Sequence, residues 1–416
     1  MIDQKPTAVL LMRENPNHES DPHKMAELRG LAEAAGYFVL ADITQRRGRD
    51  HRYQTGRGKI AEALAYQPDK LIFYNPLSPG QVFNIRSEFS VTAIDRFNLI
   101  LEIFASRAST REAKLQVEMA RLTYEAPHVR NAVAMKKSSE QPGFGGSGAY
   151  EESMYHDMRG RIAKIKASLK DVETMGEDRR QRRREMGFDL VALAGYTNAG
   201  KSTLLNALTN SEVEAKDQPF TTLSPTTRAI KMQGRRVLLT DTVGFIDDLP
   251  HFLIKSFKST LAEISSADLI LLVADLSDPP ELLRRKMVAS HKALWDCSSS
   301  APMITVLNKA DRLSPDEAAA RFEQIEDLAS NPVFVSASSG LGLEELTRKI
   351  HERLGPLQEF QIRLPYTSEG LSQLSRLYDK AELLQVSYED EVVVKLRGRQ
   401  EFIAALDTEA SEPVAK

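Results

Sequence analysis

The chain has 416 residues, a length that suits two to four domains, and its net charge is −3. With 42% hydrophobic and 27% charged residues, the composition is typical of soluble globular domains. Such a small net charge excludes a general attraction to nucleic acid or anionic lipid, so any basic surface must be local.

The single cysteine, Cys297, excludes an internal disulfide and a thiolate zinc site, and we expect it to be inert. No segment is apolar enough to span a bilayer. The N-terminus, MIDQKPTAVLLMREN, also lacks the long apolar core of a signal peptide. We therefore expect a cytoplasmic protein without a transmembrane segment.

The first part of the chain alternates short apolar runs with helical patterns. The runs AVLLM, YFVLAD, KLIFYN and VTAID predict buried strands. Between the first two, Asp21 suits a helix N-cap, Pro22 suits the first turn and Gly36 suits the exit. Because strands that alternate with helices indicate a parallel sheet, we predict an N-terminal parallel α/β domain at residues 1–108.

The next stretch has helical spacing, with apolar residues at Leu115, Met119 and Leu122. KKSSEQPGFGGSGAY interrupts it, and a second apolar stripe then runs from Met154 to Val172. We predict an antiparallel helical hairpin with a Gly-rich tip at residues 109–187. The second helix ends in EDRRQRRRE, whose arginines form either a solvated helix end or a phosphate-contacting patch. The residues alone slightly favour the solvated end.

GYTNAGKS matches the phosphate-loop pattern at every fixed position, after a predicted strand and before a predicted helix. In such a loop, backbone N–H groups surround the phosphates of a nucleotide. Lys201 would reach the β- and γ-phosphates, and the Ser202 hydroxyl would bind Mg²⁺. The predicted contacts are Gly195, Tyr196, Thr197, Asn198, Ala199, Gly200, Lys201 and Ser202.

NKAD follows the predicted strand PMITVLN, which places a carboxylate at the end of that strand. The carboxylate of Asp311 can accept hydrogen bonds from N1–H and the 2-amino group of guanine, a donor pair that adenine lacks. The SAS tripeptide ends the next strand and would supply backbone contacts to the base. These predicted guanine contacts are Asn308, Lys309, Ala310, Asp311, Ser336, Ala337 and Ser338.

Two further segments predict a switch that senses the γ-phosphate. Asp241 would hold Mg²⁺ through a water, and the Gly244 amide would bond the γ-phosphate. In PFTTLSPTTR we choose Thr222 for the second Mg²⁺ hydroxyl, with Thr221 and Thr226 as alternatives. The predicted contacts of these segments are Phe220, Thr221, Thr222, Leu223, Ser224, Asp241, Thr242, Val243 and Gly244.

These motifs, in this order, predict a Ras-like P-loop G domain at residues 188–356. The remaining residues, 357–416, predict a small C-terminal α+β domain. Its elements are FQIRLPY, the helix GLSQLSRLYDKAELL, paired strands around VSYEDEVVVKLRG, and a disordered tail, DTEASEPVAK. The predicted fold class is therefore multi-domain α/β.

Two positions depart from common nucleotide-site patterns. Phe245 stands where many phosphate-switch enzymes carry a glutamine that orients water, so we assign no catalytic residue. GRGKI, from Gly56, lacks an upstream glycine at the phosphate-loop spacing and has Ile60 after its lysine. We interpret it as a turn that opens a helix, in preference to a second nucleotide site.

The sequence resembles the HflX-type GTPases over residues 1–350. The resemblance rests on DTVGFIDDLPHFLIKSFKSTL, ADLILLVADLSDP, FTTLSPTTR, TGRGKIAE, the glycine-rich tip and DRFNLILEIFASRASTREAKLQVEMARLTYEAPHVR. It implies a monomeric cytoplasmic GTPase that acts on the large ribosomal subunit in ribosome splitting or rescue. Peripheral membrane association has also been attached to this family.

In this family a hydrophobic residue stands at the position of Phe245. We therefore expect slow hydrolysis by the isolated protein and stimulation by ribosomes. Asn198 would coordinate K⁺ or only brace its loop. The basic residues expected to contact rRNA phosphates are Arg130, Lys136, Lys137, Arg179, Arg180, Arg182, Arg183 and Arg184. The alternatives are a ribosome-assembly GTPase and a nucleotide-controlled binding module with a non-RNA partner.

Overall fold

The structure is a computed structural model of the chain. It describes residues 5–17, 19–139, 149–185, 188–209, 220, 226–232, 235–242, 244–247, 263–297, 299–355, 357–380, 382–388, 390–398 and 411–413. The chain divides into two compact units. The first comprises residues 1–171, 216–224 and 249–257, and the second comprises residues 172–215, 225–248 and 258–416.

The first unit begins with a four-stranded parallel sheet, as the apolar runs predict. Its strands are β1 (Thr7–Glu14), β2 (Phe38–Arg46), β3 (Lys70–Phe73) and β4 (Thr92–Asp95), in the order β2-β1-β3-β4. The helices between and after them are α1 (Pro22–Ala34), α2 (Arg57–Leu64), α3 (Pro79–Phe89) and α4 (Arg96–Arg107). One core cluster joins strands β1 and β3 to helices α2 and α3 through Leu11, Ile60, Phe73 and Ile85.

Local sequence signals account for the ends of these helices. The Asp21 carboxylate accepts the His23 N–H at 3.1 Å and caps α1, and Pro22 occupies its first position. Gly36 follows with φ +90°, a left-handed conformation that glycine adopts without strain. The prediction that GRGKI opens a helix is also confirmed, because α2 begins at Arg57.

The two hairpin helices are α5 (Arg111–Ser139) and α6 (Ala149–Glu185). Their facing stripes form one buried cluster of Met119, Leu122, Ala126, Met158, Ile165 and Leu169. Met154 was expected in this stripe but is 42% exposed. The tip at 140–148 and the side chains of the predicted rRNA-contacting residues lie outside the description.

A buried carboxylate joins α5 to the end of strand β4. Asp95 accepts the N–H groups of Leu77 at 3.1 Å and Asn98 at 3.0 Å, which caps α4. The Tyr124 hydroxyl of α5 donates to the same carboxylate, and the Tyr124 ring packs edge-on against Phe97. One carboxylate therefore fixes the start of α4 and the position of α5.

The second unit contains a six-stranded sheet in the order β10-β9-β8-β5-β7-β6. Its strands are β5 (Asp189–Gly195), β6 (Thr226–Met232), β7 (Arg235–Asp241), β8 (Leu269–Asp275), β9 (Met303–Asn308) and β10 (Val333–Phe334). All neighbours are parallel except the β6–β7 pair. The helices are α7 (Lys201–Thr209), α8 (Pro280–Asp296), α9 (Pro315–Glu323) and α10 (Leu343–Arg353), and two core clusters pack on the sheet.

A buried ion pair connects the first strand of this α/β fold to the residues after its last helix. Arg235, the first residue of β7, lies 3.2 Å from Asp189, the first residue of β5, and both side chains are buried. The Arg235 guanidinium also donates to the carbonyls of Leu354, at 3.4 Å, and Gly355, directly after α10. Burial without such partners would be costly for either charge.

The C-terminal part of the second unit is an antiparallel sheet with one helix. Its elements are β11 (Gln358–Pro365), α11 (Ser368–Lys380), β12 (Glu382–Tyr388), β13 (Glu391–Gly398) and β14 (Ser411–Pro413), with strand order β12-β13-β11-β14. The predicted helix extends too far, because residues 382–384 belong to β12. The predicted disorder of the tail is also wrong at Ser411–Pro413, which pair with β11.

Among the described residues, no helix combines the length and the apolar character needed to cross a membrane. Cys297 follows α8, half-buried, and burial raises the pKa of its thiol to about 11, with the nearby Asp296 carboxylate adding to the rise. At neutral pH such a thiol stays protonated, which agrees with the expectation that it is inert.

Candidate nucleotide-binding site

The glycine-containing loop between β5 and α7 has the backbone that a phosphate-binding loop requires. Gly195 has φ +144°, and a Cβ there would lie 2.2 Å from the Val273 carbonyl oxygen. Gly200 has φ +92°, and its Cβ would lie 2.2 Å from Asn308 Nδ2. Asn198 is also left-handed, with φ +65°. Only glycine fits the first two positions, so the loop can bring its N–H groups close to an anion.

Lys201, the first residue of α7, points back along this loop. Its ammonium group donates to the carbonyls of Gly195 at 3.2 Å and Tyr196 at 2.9 Å. Burial lowers the pKa of Lys201 to about 8, and the nearby Asp241 carboxylate only partly opposes this fall. A buried ammonium group held in this way is placed to interact with phosphate.

Ser202 and Asp241 come together beside this lysine. The Ser202 hydroxyl donates to Asp241 Oδ2 at 2.6 Å, and Asp241 is 1% exposed. A hydroxyl and a carboxylate are hard oxygen donors, so this pair fits Mg²⁺. The described residues contain no group of three or more His, Cys, Asp or Glu side chains that could hold a metal ion. The remaining ligands would therefore come from nucleotide, water or other hydroxyls.

Of the three threonines considered for the second Mg²⁺ hydroxyl, the structure describes Thr226. Thr222 and Thr221 lie outside the described residues, as do Leu223, Ser224 and Val243. Thr226, the other alternative, begins β6 and pairs with Asp241 across the antiparallel strands. Thr242, next to Asp241, is buried and donates from its hydroxyl to the Leu193 carbonyl at 2.7 Å.

The segment Gly244–Asp247 lies directly against the phosphate loop. The Phe245 N–H donates to the Gly195 carbonyl at 3.0 Å, and the Thr197 N–H donates to the Phe245 carbonyl at 2.8 Å. A Cβ at Gly244 would lie 3.1 Å from Lys201 Nζ. The Gly244 backbone is therefore close to the ammonium group that would hold the phosphates.

The Phe245 ring lies in the core of the second unit. It is 3% exposed and belongs to the core cluster that includes Ala192, Ile264, Ile270 and Leu272. The residue at the usual glutamine position therefore serves as a packing residue on one side of the sheet. Its backbone, and not its side chain, contacts the phosphate loop.

Three residues that the sequence analysis did not assign, Asp247, Arg285 and Lys286, form contacts that hold this segment or Tyr196 in place. The Asp247 N–H donates to the Tyr196 hydroxyl at 2.9 Å, and Arg285 of α8 donates to the Asp247 carboxylate. Lys286 Nζ lies 5.4 Å from the centre of the Tyr196 ring. No local pattern connects these residues, since α8 is far from the loop in sequence. Tyr196 therefore acts through its ring and hydroxyl as a support for Gly244–Asp247.

Asn308 joins the phosphate loop to the predicted guanine-binding segments. Its Nδ2 donates to the Ala199 carbonyl at 2.8 Å, and its Oδ1 accepts the Ala337 N–H at 3.0 Å. Lys309 donates to the Asn198 carbonyl at 3.0 Å and pairs with Asp275 at 2.7 Å. Asp275, at the end of β8, was another residue that sequence reasoning missed.

Asp311 lies in the 3₁₀ turn Ala310–Arg312 and is exposed. The Ala310 N–H donates to the Val335 carbonyl at 3.0 Å, which ties this turn to the segment that follows β10. In that segment, the hydroxyls of Ser336 and Ser338 lie 3.1 Å apart. The structure thus brings NKAD, SAS and the phosphate loop together, with the Asp311 carboxylate available at the surface.

Phe220 has a different environment from the other predicted contacts. It belongs to the first unit, is buried, and has φ +58°. Its ring packs edge-on against Phe104 of α4 with 4.8 Å between ring centres. This ring contributes to the packing of the first unit.

Three family models match consecutive parts of the chain. The model described as "GTP-binding GTPase N-terminal" matches residues 22–105, and the one described as "GTP-binding GTPase Middle Region" matches residues 107–183. The model described as "50S ribosome-binding GTPase" matches residues 190–309, which include the phosphate loop and Asn308. The matches therefore follow the sheet, the hairpin and the nucleotide site in chain order.

Solved structures support the same fold. The chain resembles a structure titled "SsGBP and GDP complex" with a TM-score of 0.53 and 27% identity, covering 83% of this chain and 98% of that one. A GTP-binding protein from Sulfolobus solfataricus in complex with GDP gives a TM-score of 0.50 and 26% identity, with coverage of 84% and 98%.

Curated relatives give stronger sequence similarity. GTPase HflX of Methanocaldococcus jannaschii is 42% identical over 380 residues, which cover 89% of this chain and 91% of that protein. GTPase HflX of Escherichia coli is 36% identical over 395 residues, with coverage of 92% and 91%. With this similarity along nearly the whole chain, and with the nucleotide site formed as described, the protein belongs to the HflX family of GTPases.

Proposed function

We propose that this GTPase is a cytoplasmic switch that binds the large ribosomal subunit in its GTP form and acts in ribosome splitting or rescue. The arrangement of Gly244–Asp247 is the main support. This segment lies on the phosphate loop, yet the residue after Gly244 contributes an apolar ring to the core. Rapid hydrolysis would then need a partner that orders the attacking water. The description of the matching G-domain family names the 50S ribosome.

We assign the nucleotide contacts to four segments. Gly195–Ser202 would bind the phosphates, and Asp241–Gly244 together with residues 220–224 would sense the γ-phosphate. Asn308–Asp311 and Ser336–Ser338 would bind guanine. Among these, Asp311 would select the base, because it is exposed in a turn that is tied to the segment after β10.

Mg²⁺ would bind next to the β- and γ-phosphates. Ser202 would be a direct ligand, Asp241 would act through a water, and Thr222 would supply the second hydroxyl. The ion would neutralise phosphate charge during hydrolysis. For the protein itself, the 2.6 Å contact between Ser202 and Asp241 already fixes the two oxygen groups in place.

Loss of the γ-phosphate would release Gly244 and the segment around Thr222, which would lower affinity for the ribosome. The hairpin and the N-terminal sheet would carry the rRNA contacts, with the basic residues of α5 and α6 facing phosphates. No general base is assigned, so the partner would act by ordering the water and the switch segments.

The decisive experiment measures GTP turnover by the full-length protein alone and with purified large subunits, small subunits or whole ribosomes. We expect strong stimulation by large subunits or whole ribosomes and none by small subunits. A stimulatory partner that supplies transition-state stabilisation can act on the order of 10³–10⁵-fold. If no particle changes the rate or binds the GTP form, the ribosomal role is wrong.

Asn198 is the candidate for a monovalent cation site. Its left-handed backbone holds its carbonyl towards Lys309, which leaves the side-chain amide as the proposed K⁺ ligand. K⁺ near the β- and γ-phosphates would supply positive charge as an arginine does in other GTPases. Turnover should therefore be faster in K⁺ than in Na⁺ at equal ionic strength. Equal rates would show that Asn198 only shapes the loop.

A further inference from the structure

The connection between β2 and α2 carries a concentration of positive charge. Residues 46–57, which we term the arginine loop, contain Arg46, Arg47, Arg49, Arg52 and Arg57, and all five arginines are exposed. Asp50 is the only acidic residue of this stretch. The chain as a whole has a net charge of −3, so this surface is a local exception.

The backbone of the arginine loop is a closed turn. Asp50 and Gln54 exchange backbone hydrogen bonds of 3.3 and 3.0 Å, and Gln54 has φ +73°. The Asp50 carboxylate accepts the N–H groups of Arg52 at 2.8 Å and Tyr53 at 2.9 Å. The one acidic side chain of the loop therefore stabilises the backbone of the turn through these hydrogen bonds.

Buried groups fasten this turn to α3. Gln81 is fully buried, and its Nε2 donates to the Asp50 carbonyl at 2.8 Å. The buried ring of Tyr53 packs edge-on against Phe89, and its hydroxyl donates to Glu88. These contacts fix the loop in the folded protein, so little ordering remains to be done when a partner binds.

The arginines are only partly neutralised. Arg52 and Arg57 share Glu88, at 3.9 and 2.7 Å, and their side chains are 72% and 71% exposed. Among the described residues, neither Arg47 nor Arg49 forms an ion pair; Arg49 Nη2 lies 3.5 Å from the neutral acceptor Gln81 Oε1, which leaves its charge unneutralised. At least two guanidinium charges therefore remain available on a rigid support.

The start of α2 adds to this positive surface. Its N-cap, Gly56, has no side chain to satisfy the first N–H groups of the helix. Arg47 Nη1 would lie 2.9 Å from a Cβ at Gly56, so its guanidinium is next to the helix start. The helix dipole and the guanidinium group favour the same kind of ligand, an anion.

We propose that the arginine loop binds phosphodiester groups of an RNA backbone, which rests on and deepens the proposed ribosomal function. The planar guanidinium group suits phosphate oxygens through two hydrogen bonds. No apolar side chain of the loop is exposed, so it lacks the hydrophobic centre that a protein partner would need. A row of phosphates requires no such centre.

The test compares two double variants of the full-length protein with a non-hydrolysable GTP analogue bound. R47Q/R49Q removes two arginines from the loop, and R29Q/R86Q removes two from α1 and α3 with the same change in charge. Binding to purified large subunits is measured over a series of salt concentrations. We expect R47Q/R49Q to weaken binding about tenfold or more at low salt and to reduce the slope of log K against log salt by about two.

The control variant should bind within about twofold of the wild type, and both variants should keep the basal GTPase rate, since all four arginines lie outside the nucleotide site. Equal losses in the two variants, or an unchanged slope for R47Q/R49Q, would overturn the proposal. If the wild type does not bind subunits at all, the ribosomal function fails. The same comparison on a synthetic RNA duplex then decides the arginine loop: a loss confined to R47Q/R49Q supports it, and equal binding overturns it.

Discussion

The Phe245 amide donates to the carbonyl of Gly195, 3.0 Å away, while the Phe245 ring is buried in a core cluster. Backbone and side chain of one residue thus serve two different structures. The backbone hydrogen bonds of Phe245 set the distance between Gly244–Asp247 and the phosphate loop. The ring anchors that segment to the sheet, so a polar side chain at this position would not reach the phosphates.

This geometry predicts that Phe245→Gln does not create a faster enzyme. The amide would be buried among apolar side chains, so we expect a loss of about 3 kcal/mol in the free energy of unfolding. Single-turnover GTP hydrolysis by the isolated variant should be no faster than that of the wild type. Phe245→Leu is the control and should retain the basal rate with a smaller loss of stability. A tenfold increase in the rate of Phe245→Gln would contradict the packing role.

The lowered pKa of Lys201 predicts that nucleotide binding depends on pH. Its value of about 8 in the nucleotide-free protein, below the usual 10.5, should rise when phosphates approach. Binding then takes up a proton above about pH 8, so GDP affinity should fall by up to about tenfold per pH unit there and stay constant below about pH 7. Calorimetry in buffers of different ionisation enthalpy measures the uptake. A constant affinity between about pH 7 and 9.5 would exclude it.

The same shift affects the stability of the nucleotide-free protein. The pKa of Lys201 is lower in the folded state than in the unfolded state. The charged lysine therefore lowers the free energy of unfolding, and this effect is at its maximum below about pH 8. The free energy of unfolding should therefore increase as the pH rises from about 8 to 10.5, because the folded state releases the Lys201 proton at lower pH than the unfolded state.

The proposed role of Asp311 in selecting guanine predicts a change of nucleotide preference in Asp311→Asn. An amide can accept from N1–H but cannot accept a second bond from the 2-amino group, so GDP affinity should fall about 100-fold or more. Xanthine carries a carbonyl at that position, which the amide can satisfy, so XDP should bind better than GDP. Titration calorimetry measures both. Asp296→Asn, an exposed acid at the end of α8, is the control and should leave both affinities unchanged.

The hydrogen bond from Tyr124 to Asp95 predicts a stability effect at the base of the hairpin. Tyr124→Phe keeps the ring contact with Phe97 but removes a donor from a buried carboxylate. We expect unfolding of the full-length protein to require about 1–3 kcal/mol less. Denaturant unfolding measures the change, and Tyr66→Phe, at an exposed ring, should have no effect. Equal stability of the two variants would contradict the role of this bond.

Local patterns predicted much of this molecule because the relevant forces act over a few residues. Apolar runs marked the four strands of the N-terminal sheet, and Asp21 with Pro22 marked the start of α1. The phosphate loop could be located because its two glycines are required by backbone geometry. The family resemblance was confirmed by relatives that match along nearly the whole chain.

Other features depend on residues that are far apart in sequence. Leu384 continues the helical spacing of Leu374 and Leu377, yet it lies in β12 because its two neighbours in sequence pair with β13. The contacts that hold Asp247, from the Tyr196 hydroxyl and from Arg285 of α8, likewise form only after α8 packs on the sheet. The sequence analysis interpreted only GRGKI as a turn and assigned no role to residues 46–55, because the burial of Gln81 beneath them has no signature in the sequence.

The ion pair between Arg235 and Asp189 has a consequence for how the G domain can be separated from the rest of the chain. Arg235 also donates to the carbonyls of Leu354 and Gly355, so one side chain connects strand β5 to the end of helix α10. Cutting the chain before Gly355 would remove at least one carbonyl acceptor from a buried cation. A cut after Gly355 would keep both carbonyl acceptors of Arg235, so we expect a separately expressed G domain to require this glycine.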